Sequence, residues 1–579
     1  MRRILYALII LNLFPGLTAQ EPAERIRLNQ IGFYPGAPKI AVITSEGGST
    51  FNIISRETGT KVYSGILSAQ RKSAFSQKTT RIADFSAFRN PGTYMVEIPE
   101  IGKSYAFEIK PFVHKELAKG LIKGFYYQRM STPLLPEHAG KWSRPAGHPD
   151  DKVLIHPSAI SPGRLEMSVI SCPKGWYDAG DYNKYIVNSG ITMGTLLSLY
   201  EDFPEYFQGL ELNIPESGNG VPDLLDEILW NLRWMFTMQD PYDGGVYNKV
   251  TNESFDGMIM PHEATKPRYV VQKGTAATLD FAAVTAQAGR IFRNFDKILP
   301  GLSDSCINSA LKAWKWAVDN PEVAYNQNAM NKMFKPVIST GGYGDNNYSD
   351  EFIWAAAELY ITMKDDSYYK AVKMLPDTLM PLPSWGNVRL LGYFTLARHQ
   401  KRLTSAARAD FKIIRKRLLE NAERITAGVR ERAYMTVMGR NAREFVWGSN
   451  SVAANQGILL IQAYKLSKEK KYLEYALSNL DYILGRNATG YSFVTGFGKK
   501  TPMFIHHRQS EADGIPEPVP GLIAGGPNPG RQDGCQYPST IADEAYVDSV
   551  CSYASNEIAI NWNAPAAYLA AAIDALMNK

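Results

Sequence analysis

The stretch PDLLDEILWNLRWMF, residues 222–236, decides how most of this chain folds. Leu224, Leu225, Ile228, Leu229, Leu232, Met235 and Phe236 recur at the spacing that puts apolar side chains on one face of a helix. Pro222 and Asp223 suit the first turn, where proline loses no hydrogen bond and an acid meets the positive end of the dipole. Outward from this stretch, similar runs begin near residues 114, 185, 275, 305, 351, 367, 387, 405, 450, 470 and 555. Together they predict about twelve helices after Pro111. No sequence repeat accompanies them, so a solenoid of near-identical units is not indicated. Twelve helices taken in pairs suit a closed toroid of six hairpins with its long loops on one face, and loops of that length are usually functional.

Before Pro111 the texture is different. Lys39-Ile40-Ala41-Val42-Ile43, Phe51-Asn52-Ile53-Ile54, Lys61-Val62-Tyr63 and Thr93-Tyr94-Met95-Val96-Glu97-Ile98 are short strand-like runs. Gly47-Gly48, Thr58-Gly59 and Asn90-Pro91-Gly92 supply the turns between them. Six or seven such strands predict a small immunoglobulin-like sandwich. The first residues are different again: Arg2 and Arg3, an apolar run from Ile4 to Phe14, and Leu17-Thr18-Ala19 read as a secretory signal peptide. The expected division is therefore a signal peptide over 1–20, a β-sandwich over 21–110 and a helical domain over 111–579.

With 63 Lys+Arg against 57 Asp+Glu in 579 residues, the chain lacks the basic footprint of a nucleic-acid binder. No later segment has the roughly twenty uncharged apolar residues of a membrane span. An exported monomer, periplasmic or extracellular, is expected. The aromatic surplus, 10 Trp, 32 Tyr and 24 Phe, suits a large core or a sugar-stacking cleft equally. Among four cysteines, Cys535 and Cys551 enclose a short Pro- and Gly-bounded segment and are the expected disulfide. Cys306 sits among apolar residues as a buried thiol would, Cys172 stands alone, and no CxxC spacing supports a zinc ribbon.

The clearest carboxylate cluster is GWYDAGDYNKY at 175–185, with Asp178 and Asp181 three apart before a helical run. Helix capping explains one aspartate comfortably and two less well. A second acidic cluster holds Asp548, Tyr553 and Glu557, and between the two lies Ile505-His506-His507-Arg508. These pieces fit inverting glycoside hydrolysis, which needs a carboxylate to activate water and a carboxylic acid, its pKa raised by its surroundings, to protonate the leaving oxygen.

In these residues the sequence resembles glycoside hydrolase family 9, in the subgroup with an N-terminal immunoglobulin-like domain. RLNQIGF at 27–33 resembles the opening strand of that accessory domain. GWYDAGDYNKY, the run from Phe493 to Arg508, and Tyr546 to Ala564 resemble the family's aspartate, histidine and glutamate motifs, in the right order. The resemblance implies an (α/α)6 barrel. It implies Asp181 as general base, Asp178 as its helper in holding water and Glu557 as general acid. His506 and Arg508 would hydrogen-bond the sugar, and Asp548 would steer the electrostatics or bind substrate. Tyr553 and Trp447 are further substrate-binding candidates, and Trp142 and Trp385 lie in similar loop-like stretches. Asp350 and Glu351 are the candidates for a structural calcium, although two carboxylates fall short of the six to eight oxygens calcium takes. No cofactor is needed for the chemistry. The Cys-His pair that relatives often carry before the aspartate motif is missing, which leaves only Cys172, His138, His148 and His156 as nearby zinc ligands. The expected activity is cleavage of β-1,4-glucosidic bonds in cellulose, xyloglucan, mixed-linkage glucan or their oligosaccharides, by endo attack. The alternatives are an exo-acting cellodextrinase, β-glucosidase or glucosaminidase and, from another class, a non-catalytic glycan-binding protein.

Overall fold

The computed structural model describes residues 23–578, so the predicted signal peptide lies outside the described residues. The N-terminal part is two facing sheets. One runs Ile26–Arg27, Ile40–Ile43, Thr79–Asp84, Arg71–Lys72. The other runs Gly32–Phe33, Phe107–Ile109, Gly92–Ile98, Thr50–Ser55, Lys61–Ile66, with Gly102–Lys103 beside Gly92–Ile98. Pairing is antiparallel except between Gly32–Phe33 and Phe107–Ile109. Along Gly92–Ile98 the residues Tyr94, Val96 and Ile98 turn inward and join Phe51, Ile53 and Phe107 in the core, as the period of two requires. Strands beyond the six or seven anticipated are mostly two residues long, too short to show alternation.

The first strand crosses from one sheet to the other, and its crossing segment docks on the helical part. Asn29 Nδ2 donates to Asp481 Oδ1 at 2.8 Å and lies 3.1 Å from His114 Nε2. Gln30 Nε2 donates to the Gly490 carbonyl, while its Oε1 accepts the N–H groups of Lys499 and Lys500. These two polar residues are buried because they are the joint between the two parts.

Twelve helices organise the remainder: α1 (Lys115–Tyr127), α2 (Ile186–Asp202), α3 (Asp223–Thr237), α4 (Thr275–Phe292), α5 (Leu302–Asp319) and α6 (Ser349–Met363). They continue with α7 (Asp366–Lys370), α8 (Arg389–Arg398), α9 (Ser405–Thr426), α10 (Ser449–Ser467), α11 (Lys470–Ile483) and α12 (Ile560–Met577). Further short helices, the longest of them Gln327–Met333, lie in the loops. The even-numbered helices are buried almost all round, whereas α1, α3, α5 and α11 keep a polar face. A helix that is apolar on every side must be surrounded by others. Accordingly α12 packs on α2, α2 on α4, α4 on α6 and α6 on α8, with α10 on the other side of α12. The odd-numbered helices cover this set from outside, α1 on α12, α3 on α2, α5 on α4, α7 on α6, α9 on α8 and α11 on α10.

The loops also build a five-stranded sheet that periodicity did not reveal. It runs Val169–Ile170, Val153–Ile155, Tyr269–Val270, Lys249–Thr251, Lys184–Tyr185. Each strand has two or three residues, and each is held by its neighbours rather than by its own pattern.

The joint can be tested by Asn29→Ala, which leaves buried Asp481 and His114 each short of a partner. Stability in a denaturant titration is expected to fall by about 1–3 kcal/mol. Turnover of the folded protein is expected to stay within error of wild type.

Candidate active site

Most of the residues singled out for chemistry stand just before an even-numbered helix or in its first turn. Asp178 and Asp181 precede α2, Tyr343 precedes α6, Trp385 precedes α8, Trp447 precedes α10, and Glu557 precedes α12. Backbone bridges bring three distant segments side by side: Ala179 pairs with Ala559, and His506 pairs with Glu557. A Cβ on Gly180 would come within 2.1 Å of the His506 carbonyl oxygen, so the residue between the two aspartates has to be glycine.

Asp178 is buried and held from several directions. Asn188 Nδ2, on the first turn of α2, donates to both carboxylate oxygens at 3.0 and 2.9 Å, and Tyr343 Oη donates to Oδ2 at 3.2 Å. Burial, then repulsion from Asp181, pushes its carboxyl well above the usual range. Asp181 Oδ2 accepts from Tyr185 Oη at 3.1 Å and from the backbone and side-chain amides of Asn183. Among the described residues no donor reaches its other oxygen. Neutral donors thus fix both carboxylates without neutralising them.

Glu557 is half-buried in the wall of a cavity of about 560 Å³. Burial and the charge of Asp181 raise its carboxyl well above the usual range, against the opposing pull of Arg508. It therefore gives up its proton less readily than an exposed glutamate does. Ala179, Tyr343, Trp385, Trp447 and Trp562 line the same cavity. Trp447 is 42% exposed and packs on Tyr553, whose ring in turn meets His506. Trp142 lies elsewhere, its indole donating to the Glu517 carbonyl.

Several candidates serve the site through the backbone. His506 Nδ1 lies 2.6 Å from the Val550 carbonyl oxygen, and burial lowers the ring's affinity for a proton. Arg508 is buried and donates from Nη1 to the Gly180 carbonyl and from Nε to that of Asp256, so two of its donors hold loops rather than face a sugar. Asp548 likewise accepts the N–H groups of Met503 and Phe504 and the side chain of Asn556, both oxygens being engaged. Its carboxylate ties the His506 segment to the residue before Glu557. Cys535 and Cys551 are bonded, with an S–S distance of 2.06 Å, in the loop that carries Asp548.

Asp350 and Glu351 are buried in the first turn of α6. Asp350 Oδ2 accepts the Val388 N–H at 2.7 Å, while Glu351 Oε2 and the neighbouring Asn387 Oδ1 are buried without a hydrogen-bond partner. Among the described residues no three His, Cys, Asp or Glu side chains converge on a metal position. A cation here would rely on amide, backbone or water oxygens beside the two carboxylates. The zinc reading gains nothing: His148 bonds Tyr177, His156 bonds Ser158 and the Pro336 carbonyl, His138 bonds Asn213, and Cys172 is a buried free thiol.

A glutamate with a raised carboxyl in an aromatic-lined cavity, bridged through the backbone to a loop that carries two held aspartates, suits the acid–base chemistry of a glycoside hydrolase. Comparison with known proteins identifies which kind. Residues 114–570 match the family described as Glycosyl hydrolase family 9, and residues 21–103 match the cellulase N-terminal ig-like domain. The chain is 46% identical to the xyloglucan-specific endo-β-1,4-glucanase of Bacteroides ovatus, over 96% of this chain and 95% of that protein. It is 35% identical to endoglucanase D of Acetivibrio thermocellus, over 94% of this chain and 82% of that protein. A solved structure described as Bacteroides ovatus GH9 superposes with a TM-score of 0.92 at 45% identity, covering 96% of this chain and 100% of that one. The chain belongs to glycoside hydrolase family 9, and its N-terminal sandwich is the immunoglobulin-like domain of that subgroup.

The Gly180 contact gives a direct test. Gly180→Ala must push the aspartate loop away from His506, and a displacement of about 1 Å at reacting groups costs on the order of a hundredfold in rate. The expected result is a folded protein, by circular dichroism, with kcat/KM lowered about that much.

Proposed function

We propose that this enzyme cleaves internal β-1,4-glucosidic bonds of β-glucans with inversion, on a closed (α/α)6 barrel whose inner ring is the even-numbered helices. The observation that carries the reading is Glu557 in a cavity lined by Trp385, Trp447 and Trp562, with Ala179, from the loop between Asp178 and Asp181, on the same wall and bridged to Ala559. Asp181, with an unengaged oxygen, takes the proton of the attacking water. Asp178, held by Asn188 and Tyr343, helps to hold that water in place. Glu557 protonates the leaving oxygen, and its raised carboxyl extends activity to a pH well above that of an ordinary glutamate. Tryptophan faces suit the apolar faces of glucosyl rings, and the 46% identity to a xyloglucan-specific relative favours a decorated glucan as substrate. Residues 1–20 act as the export signal, and among the described residues no helix is long and apolar enough to cross a membrane.

Endo attack is tested by following viscosity and reducing ends together on xyloglucan, mixed-linkage glucan and carboxymethylcellulose. Rapid thinning with few new ends is expected. Steady release of short sugars without thinning would replace this reading with a chain-end cutter. Glu557→Gln is expected to lose about 10²–10⁴ in kcat on each active polysaccharide, and wild-type turnover by that variant would remove Glu557 from the mechanism.

The Asp350–Glu351 pair, in the first turn of α6, is the place for a structural calcium. Chelation should then lower the melting temperature, and added calcium should restore it. An unchanged melting curve after exhaustive chelation would dismiss the ion.

A further inference from the structure

Lys249 belongs to none of the three motifs, yet it is completely buried beside them. It opens the strand Lys249–Thr251 and pairs across the small sheet with Tyr185, whose hydroxyl donates to Asp181. Its Nζ donates to Gln327 Oε1 at 2.6 Å, Thr340 Oγ1 at 2.9 Å and the Gly341 carbonyl at 2.6 Å. Every one of these acceptors is neutral. The ammonium lies 5.4 Å from the centre of the Tyr185 ring and 5.7 Å from that of Tyr325. Burial lowers its hold on a proton to about 7, and the negative charge that supports it is Asp181.

A buried ammonium without a bonded carboxylate is costly, and an apolar side chain of similar volume would avoid that cost. What the lysine adds is connection. Thr340 and Gly341 lie just before Tyr343, which donates to Asp178. A Cβ on Gly341 would come within 3.1 Å of Tyr185 Oη, so the strap and the Tyr185 ring are already in contact. One side chain thus joins the two elements that deliver Tyr185 to Asp181 and Tyr343 to Asp178.

We infer that Lys249 is a positioning residue for the water-activating pair: it locks the 340–343 strap against the aspartate loop and places a positive charge behind Asp181. The inference rests on the assignment of Asp181 as base. Asp181 faces Asp178 and Tyr185 from its own loop, Tyr343 from the strap, His506 and Arg508 from the histidine segment, and Glu557 from the approach to α12. Lys249 is the cation that the sheet adds to this set.

The test measures kcat, KM and the pH dependence of kcat/KM on a soluble β-glucan for wild type, Lys249→Met and Asp181→Asn. For Lys249→Met, kcat is expected to fall about tenfold to a hundredfold, with KM within about twofold. Its acidic limb should move to higher pH, because losing a positive charge makes the facing carboxylate harder to ionise. Wild-type kcat with an unmoved acidic limb overturns the inference, whatever happens to the melting temperature. If Lys249→Met does not fold, Thr340→Val removes one acceptor and keeps the charge. A lower kcat with the limb in place then supports the lock, and an unchanged kcat overturns it. Asp181→Asn separates the two levels. Wild-type turnover there removes the base assignment and this inference with it, whereas an inactive Asp181→Asn beside an unaffected Lys249→Met removes only the role of Lys249.

Discussion

The cleft depends on the contact between Gly180 and the segment His506–Arg508. The Gly180 carbonyl accepts from both the backbone N–H and Nη1 of Arg508, and its Cα rests on the His506 carbonyl. His506 is in turn bridged to Glu557, and Ala179 to Ala559. Base loop, histidine segment and acid are therefore one hydrogen-bonded unit assembled from places more than three hundred residues apart. Arg508 serves this unit twice, by tying its backbone and by moderating the proton affinity of Glu557. Losing it would change geometry and electrostatics together.

That unit buries three carboxyl groups close enough to repel. Full ion pairs would quench the charges that the chemistry uses, so the fold surrounds the aspartates with neutral donors instead. Asn183, Asn188, Tyr185 and Tyr343 make the direct bonds, while the cations Arg508 and Lys249 stand one step back. Burial, and then the same repulsion that makes the cluster costly, raises the Glu557 carboxyl well above its usual range. Part of the folding free energy goes into this arrangement, and the buried joint at Asn29 and Gln30 is among the contacts that offset it.

Much of this could be read in the sequence. The helix starts near 185, 275, 405, 450 and 470 fall within a residue of those observed, because apolar periodicity survives in helices ringed by neighbours. The three motifs were visible because their residues are local and chemically distinctive. The five-stranded sheet was not, since strands of two or three residues carry no period. Lys249 was invisible for the same reason: it lies in an unremarkable Asn-Lys-Val run, and its importance comes from pairing with Tyr185. Sequence also left unseen the structural bonds that Arg508 and Asp548 make to the backbone. Residue type shows that a guanidinium or carboxylate is present, but not that a backbone carbonyl or N–H has already claimed it.

The two ends of the inner helices complete the argument. All of the proposed chemistry lies at their N-terminal ends, where exposed N–H groups favour negative charge. At the far end, Glu201 and Asp202 close α2 and meet Arg290 from the last turns of α4, Arg398 from α8 and Lys465 from α10. Burial opposes ionisation of Asp202, yet Arg398 and Lys465 hold its carboxyl well below the usual range. There the charges are paired outright, with cations on the negative helix ends. At that end the carboxylates go into ion pairs that fix the helices, and at the other the aspartates are held by neutral donors.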